Sequence, residues 1–226
     1  NMSMTIGAAA KEMAVLPENC TVEEASSRCA SALLRGARGN SGVILSLIFR
    51  GFSKALRGME EADGAAVAAA FRKGVDAAYK AVMKPTEGTI LTVIRKAAEA
   101  AEQIATSNND AWAVCCAAMA AAEEALAKTP EQLPVLKKAG VVDAGGKGWV
   151  VALEAMLSAL QGEDVVLPEN GAVTQTKQSA DFSDFNTEDI TFSYCTEFII
   201  SRENDHDPEN LRAFLSELCL LYTSPS

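Results

Sequence analysis

The sequence predicts an all-α protein, an eight-helix antiparallel bundle or barrel, and two observations lead there. Apolar residues recur at helical spacing through the first 162 residues, with no convincing two-residue alternation before Leu167. The breaks between these runs are short and carry capping or helix-stopping residues, so consecutive helices turn back on one another. Beyond residue 162 the pattern changes, and a separate segment begins.

Each helix has its own signal. Residues 2–15 form a first run that ends near Pro17. Thr21 and Glu24 make a capping box, in which each side chain satisfies a backbone N–H of the other's turn. The helix it opens places Val22, Ala25, Cys29, Ala32 and Leu33 on one face and stops at the glycine-rich stretch Gly36-Ala-Arg-Gly-Asn-Ser-Gly42. A strongly apolar helix follows from Val43 to about Leu56. Asp63 caps the next run, with Val67, Phe71, Val75 and Tyr79 four apart, to about Met83. Pro85 breaks it, because the residue before proline is disfavoured in the α region. Thr89–Ser107 is the next helix, and Asp110 caps the run through Lys128. Thr129, Pro130 and Gln132 read as N-cap, N1 proline and N3 glutamine of a short helix reaching Gly140. A second glycine-rich turn, 141–148, precedes a last helix from about Trp149 to Leu160.

Composition bounds the class. Of 226 residues, 49% are hydrophobic and 22% charged, which is unlike a disordered chain, and abundant alanine suits closely packed helices. The net charge of −10 leaves no basic face to neutralise a phosphate backbone, so nucleic acid is not an expected partner. No run approaches the roughly 20 apolar residues of a membrane span. The six cysteines form no CxxC pair, and Cys20, Cys29, Cys115 and Cys116 lie in helical stretches, which suits a reducing cytoplasm.

The segment 163–190 is polar and aperiodic and reads as a linker. Residues 190–200 then look like a strand, and Pro208 opens a helix over 209–218, as at the start of an α/β domain over 191–219 that is cut short. Residues 220–226, LLYTSPS, add no coherent element and resemble translated adapter sequence.

Three stretches could carry chemistry. Gly36–Gly42 lies ahead of an apolar helix, with Asn40 and Ser41 where free N–H groups and the helix dipole favour an anion. It is either a phosphate cradle or an ordinary helix–helix turn, and it is neither a Walker A nor a Rossmann motif. Thr89 after Gly88 is a cap or a ligand contact. Asp143 with Gly145, Gly146 and Gly148 is a capped helix crossing or a place where a ligand approaches the backbone. Glycine-rich helix starts gathered at one end would make a single anion site, whereas a siteless bundle would scatter them over both ends. The one histidine, His206, sits in an acidic loop, so the helical body holds no Ser-His or Cys-His nucleophile. Phosphoryl transfer needs none, since positioning and charge neutralisation supply most of it. Cys195 lies in the expected strand, as a buried apolar residue, a metal ligand or a nucleophile.

The segments GARGNSGVILSLIFRGF, PTEGTILTVIRKAAEAA, LPVLKKAGVVDAGGKGWVVALEAML and YCTEFII, in that order and spacing, resemble the fatty acid kinase A subunit. Its N-terminal domain is similar to the nucleotide-binding L subunit of dihydroxyacetone kinase. The resemblance covers about residues 1–220. It implies an eight-helix barrel binding ATP and Mg²⁺ at one end. It also implies phosphorylation of a fatty acid carboxylate to an acyl phosphate, the acid being presented by a DegV-like, lipid-binding B subunit. By position, Asn1 and Met2 would end the family's aspartate-rich loop, DGDTGTNM. Asn40 and Ser41 would meet the phosphates, with Gly39 and Gly42 shaping the turn. Gly88 and Thr89 would lie by the nucleotide, and Asp143 and Gly145 near ribose and phosphates. Cys195 would match a cysteine that the family's middle domain implicates together with later histidines. The family's Mg²⁺-binding aspartates would fall ahead of Asn1, so this chain by itself is expected to hold no metal site and to be inactive alone. A kinase of dihydroxyacetone or a similar polyol, a nucleotide-binding module without catalysis, and a homodimer remain open.

Overall fold

The computed structural model describes residues 1–17, 19–82 and 84–162, together with residues 207, 210, 211, 213 and 214. Two compact units divide the chain, Asn1–Ala180 and Asp181–Ser226. In the second, residues 210, 211, 213 and 214 are helical, within the helix expected over 209–218. The expected linker, the strand with Cys195, and His206 lie outside the described residues.

The first unit is mostly helical over its described residues, and no strand occurs among the described residues. Its helices are α1 Met2–Met13, α2 Val22–Arg35, α3 Gly39–Ala55, α4 Gly64–Ala81, α5 Ile90–Ala105, α6 Ala111–Ala127, α7 Thr129–Gln132, α8 Pro134–Ala139 and α9 Ala144–Leu160. The sequence predicted one short helix between Thr129 and Gly140, and Pro134 splits it. The extended Leu133 before the proline ends α7, and Pro134 then opens α8. Thr129 is also not the N-cap. It is the first residue of α7, with a buried side chain whose hydroxyl donates to the Leu126 carbonyl at 2.7 Å. Two further helices start earlier than their apolar runs suggest, α3 at Gly39 rather than Val43 and α9 at Ala144 rather than Trp149.

Neighbouring helices run antiparallel. Arg72 of α4 pairs with Glu102 late in α5, whereas Tyr79, two turns on, meets Arg95 early in α5. α3 packs on α2 and α4, α5 on α4 and α6, and α9 on α5 and α6. Small side chains make this packing close. Ala97, Ala98 and Ala101 of α5 and Val114, Ala118 and Ala122 of α6 are wholly buried. A Cβ at Gly51 of α3 would overlap the Lys73 carbonyl and come within 2.5 Å of the Gly74 Cα, so two backbones touch there. The larger core residues fill the bundle's centre. Trp149 of α9 stands edge-on to Phe49 and Phe52 of α3 and to Phe71 of α4, with centroids 6.4, 6.3 and 6.3 Å away. Its indole Nε1–H is buried and has no hydrogen-bond partner among the described residues.

The antiparallel order sorts the helix starts into two groups. α2, α4 and α6 begin at one end. There Val22 N–H donates to the Glu60 carbonyl, and Gly64 N–H and Ala65 N–H reach Asn109, by its carbonyl and its side-chain oxygen. α1, α3, α5 and α9 begin at the other end, as the contacts below establish.

Candidate functional site

The predicted site residues come together from these four helix starts. A Cβ at Gly39 would collide with the Asn1 side chain, so the start of α3 lies against the start of α1. A Cβ at Gly148 would lie 2.6 Å from Met2 Sδ, which joins α9 to α1. A Cβ at Gly145 would lie 3.2 Å from the Ile90 Cβ, which joins α9 to α5. Asn1, Met2, Gly39, Gly42, Gly88, Thr89, Asp143 and Gly145 therefore belong to one end of the bundle, with Asn40 and Ser41 on the first turn of α3.

The two ends differ in how their backbone N–H groups are used. Opposite the candidate site, every start is capped by a side chain. Thr21 and Glu24 form the reciprocal box, Asp63 accepts from Ala66 N–H at 2.9 Å, and Asp110 accepts from Ala113 N–H at 3.1 Å. At the candidate site, α3 has Arg38 at its N-cap position and no side-chain cap. No acceptor among the described residues meets the N–H groups of Gly39, Asn40 or Ser41. Gly39 itself is left-handed, at φ +60, and exposed, a conformation that costs a residue bearing Cβ about 1–2 kcal/mol. Gly42 is buried where a Cβ would overlap the Thr5 hydroxyl. Arg38 puts a cation at the positive end of the α3 dipole, where an anion would be stabilising instead.

The starts of α5 and α9 are arranged differently. Thr89 caps α5, accepting from Leu91 N–H at 3.3 Å and donating to the Thr86 carbonyl at 2.7 Å. Asp143 caps α9, accepting from Gly146 N–H at 2.6 Å, and the backbone N–H groups of Ile90 and Gly145 also favour its charged form. One carboxylate thus serves two helix starts. It is 4% exposed, and burial pushes its carboxyl above the ordinary range, against the lowering effect of those three N–H groups. Asp143 N–H in turn donates to Thr129 Oγ1 at 3.1 Å.

Residues that the sequence did not single out hold this end together. Thr5, wholly buried in α1, donates to the Asn1 carbonyl at 2.9 Å and accepts from Arg38 N–H at 3.2 Å, which ties α1 to the α2–α3 turn. Beside Gly88, Glu87 accepts from Tyr79 at 3.0 Å, Thr92 at 2.6 Å and Arg95 at 2.7 Å. Burial opposes ionisation of Glu87, and the three donors outweigh it and hold its carboxyl below the ordinary range. For the threonines, their β-branched, polar side chains inside otherwise apolar helices were the one available signal.

The residues fit a phosphate-bearing ligand in one respect: unmet N–H groups at an uncapped helix start, beside a left-handed glycine, suit phosphate oxygens. They do not fit a divalent cation. Among the described residues no three carboxylate, imidazole or thiol groups gather as a metal site, and Asp143 is engaged by backbone donors.

This geometry defines a class: an all-α antiparallel bundle with glycine-shaped helix starts gathered at one end. The chain belongs to the DAK2 domain family, which matches residues 1–158. This is a dihydroxyacetone-kinase-like, kinase-related family, resembling that enzyme's L subunit. Protein YloV of Bacillus subtilis (strain 168) is 44% identical over 225 residues, covering 96% of this chain and 40% of YloV. An uncharacterised Staphylococcus saprophyticus protein is 42% identical over 223 residues, again 96% of this chain and 40% of the relative. An uncharacterised Staphylococcus aureus (strain USA300) protein is 42% identical over 205 residues, 88% of this chain and 37% of the relative. The chain spans about two fifths of the length of these curated relatives.

Proposed function

We propose that this chain is the nucleotide-binding part of a cytoplasmic kinase that transfers the γ-phosphoryl group of ATP to a fatty acid carboxylate. In that reaction a carboxylate oxygen bonds to the γ-phosphorus, the bond from that phosphorus to the β–γ bridging oxygen breaks, and acyl phosphate and ADP leave. The observation that carries the proposal is the uncapped start of α3, with the unmet N–H groups of Gly39, Asn40 and Ser41, at the end where Gly88, Thr89 and Asp143 also lie. Those N–H groups and the α3 dipole would hold phosphate oxygens, and the glycines at 39 and 42 would let a phosphate approach the backbone. Thr89 would bound the nucleotide from α5. Mg²⁺ would neutralise charge on the phosphates. A DegV-like, lipid-binding subunit would present the fatty acid.

Alignment with YloV over 225 residues, well past the helical bundle, favours this reading over a polyol kinase built on a free-standing L subunit. The test is an assay of the full-length protein with ATP, Mg²⁺ and a lipid-binding subunit loaded with a long-chain fatty acid, trapping acyl phosphate as the hydroxamate. Fatty acyl hydroxamate and stoichiometric ADP are expected. Turnover of dihydroxyacetone and none of fatty acid would replace the acceptor, and nucleotide binding with no turnover of either would leave a binding module.

A further inference from the structure

We infer that Glu87, held by Tyr79, Thr92 and Arg95, is a positioning residue that fixes the Gly88–Thr89 turn for nucleotide; this rests on the nucleotide reading above. Gly88 is left-handed, at φ +81, and buried against the junction of α7 and α8, where a Cβ would lie 2.9 Å from both the Gln132 Cβ and the Leu133 Cγ. A turn of this kind needs to be held, because several other backbone arrangements are open to glycine. The holding groups are side chains. Gly88 N–H donates to Thr92 Oγ1 at 2.8 Å, and the Thr92 hydroxyl passes its proton donation on to Glu87 at 2.6 Å. Arg95 grips the same Glu87 oxygen at 2.7 Å, and its other nitrogens reach Tyr79 Oη at 3.2 Å and Glu99 at 2.9 Å. Tyr79 closes the ring by donating to the second Glu87 oxygen at 3.0 Å. Glu87, immediately ahead of Gly88, thus ties its turn to the last turn of α4 and the first two turns of α5.

The cluster's consequence extends past its own turn. Ile90, two residues after Gly88, lies beside Gly145 with its N–H toward the Asp143 carboxylate, which also caps the start of α9. Side chains half-open to solvent on the α4–α5 seam are therefore connected, by hydrogen bonds as far as Gly88 and then through the 88–90 backbone, to the capped start of α5 beside the Asp143 carboxylate. Bonds to charged groups in such a chain add up to a rigid local backbone, and a rigid site loses less entropy when a ligand binds. An exposed ion pair with no such link contributes little by comparison.

The experiment compares Glu87→Ala, Glu87→Gln, Arg95→Ala and Arg95→Lys with the unaltered full-length protein. It measures MgATP affinity by calorimetry, thermal unfolding, and amide exchange of residues 88–91. The expected result is roughly tenfold weaker MgATP binding for Glu87→Ala and Arg95→Ala. Glu87→Gln and Arg95→Lys should recover most of it, while exchange at Gly88 and Ile90 quickens in the alanine variants and Tm moves little. A merely structural cluster would lower Tm and leave the affinity of the folded protein alone. MgATP binding by the unaltered protein with both alanine variants within twofold of it would overturn the positioning role and spare the nucleotide site. Unchanged exchange at Gly88 and Ile90 would overturn it too. If the unaltered protein binds no nucleotide, the site and the positioning role fall together.

Discussion

Asp143 is the residue on which two helix starts depend. Replacing it with alanine leaves the Gly146 N–H without its acceptor in a buried place, at about 1–3 kcal/mol for an unmet donor. Urea denaturation of Asp143→Ala is expected to show a loss in that range. The pH dependence has a definite sign. The folded carboxyl holds its proton to higher pH than the ordinary value of 3.8, so the folded state binds more protons and this group lowers stability as pH rises from there through the folded value. Asp143→Asn should remove that downward slope, read as stability against pH. Glu87 has the opposite sign: its stabilisation is present above its ordinary 4.5 and is lost as pH falls through the lowered folded value. Cys29 and Cys115 give a third outcome at this scale. Burial pushes both thiols up to about 11, so iodoacetamide labelling followed by mass spectrometry should find them nearly inert at pH 7.5 and increasingly reactive toward pH 10. Asn40, Ser41, Thr89 and Asp143 were legible in the sequence, because a polar residue beside glycine at a break is unusual enough to notice. Thr5 and Thr129 were not: their partners Arg38 and Asp143 are 33 and 14 residues away, and no local pattern encodes such a pairing.

Helix order and type follow from periodicity and caps, and the capping residues Thr21, Asp63, Thr89, Asp110 and Asp143 all occupy the N-cap positions that the sequence suggests. The starts of α3 and α9 were misplaced for one physical reason. Glycine costs up to about 1 kcal/mol inside a helix relative to alanine, so a glycine-rich stretch reads as a turn. Here Gly42, Gly145 and Gly146 stand inside helices, and the reason for glycine there is the close approach of Thr5, Ile90 and Val93 to where a Cβ would lie. The same logic gives a prediction at the α3–α4 crossing. Gly51→Ala puts a methyl group into the Lys73–Gly74 backbone, which cannot swing aside, and should cost about 1–3 kcal/mol by urea denaturation. Gly39→Ala obstructs only the movable Asn1 side chain, so its cost should come from the left-handed backbone.

For the whole bundle, the meaningful feature is the difference between its ends. One end satisfies the starts of α2, α4 and α6 with side-chain caps. The other satisfies α5 and α9 with Thr89 and Asp143 and leaves α1 and α3 without a side-chain cap. Alternating helix direction made this arrangement foreseeable as one of two outcomes. The choice between them needed the Gly39–Asn1, Gly148–Met2 and Gly145–Ile90 contacts, which bring together residues far apart in sequence. No helix among the described residues is long and apolar enough to cross a membrane.

The most direct measurement is amide hydrogen exchange of the full-length protein with and without MgATP. The account predicts nucleotide-dependent protection at residues 39–42 and 88–90, with the capped starts at 22–25, 64–67 and 111–114 unchanged. Protection at those capped starts instead, or no protection anywhere in the bundle, would contradict it.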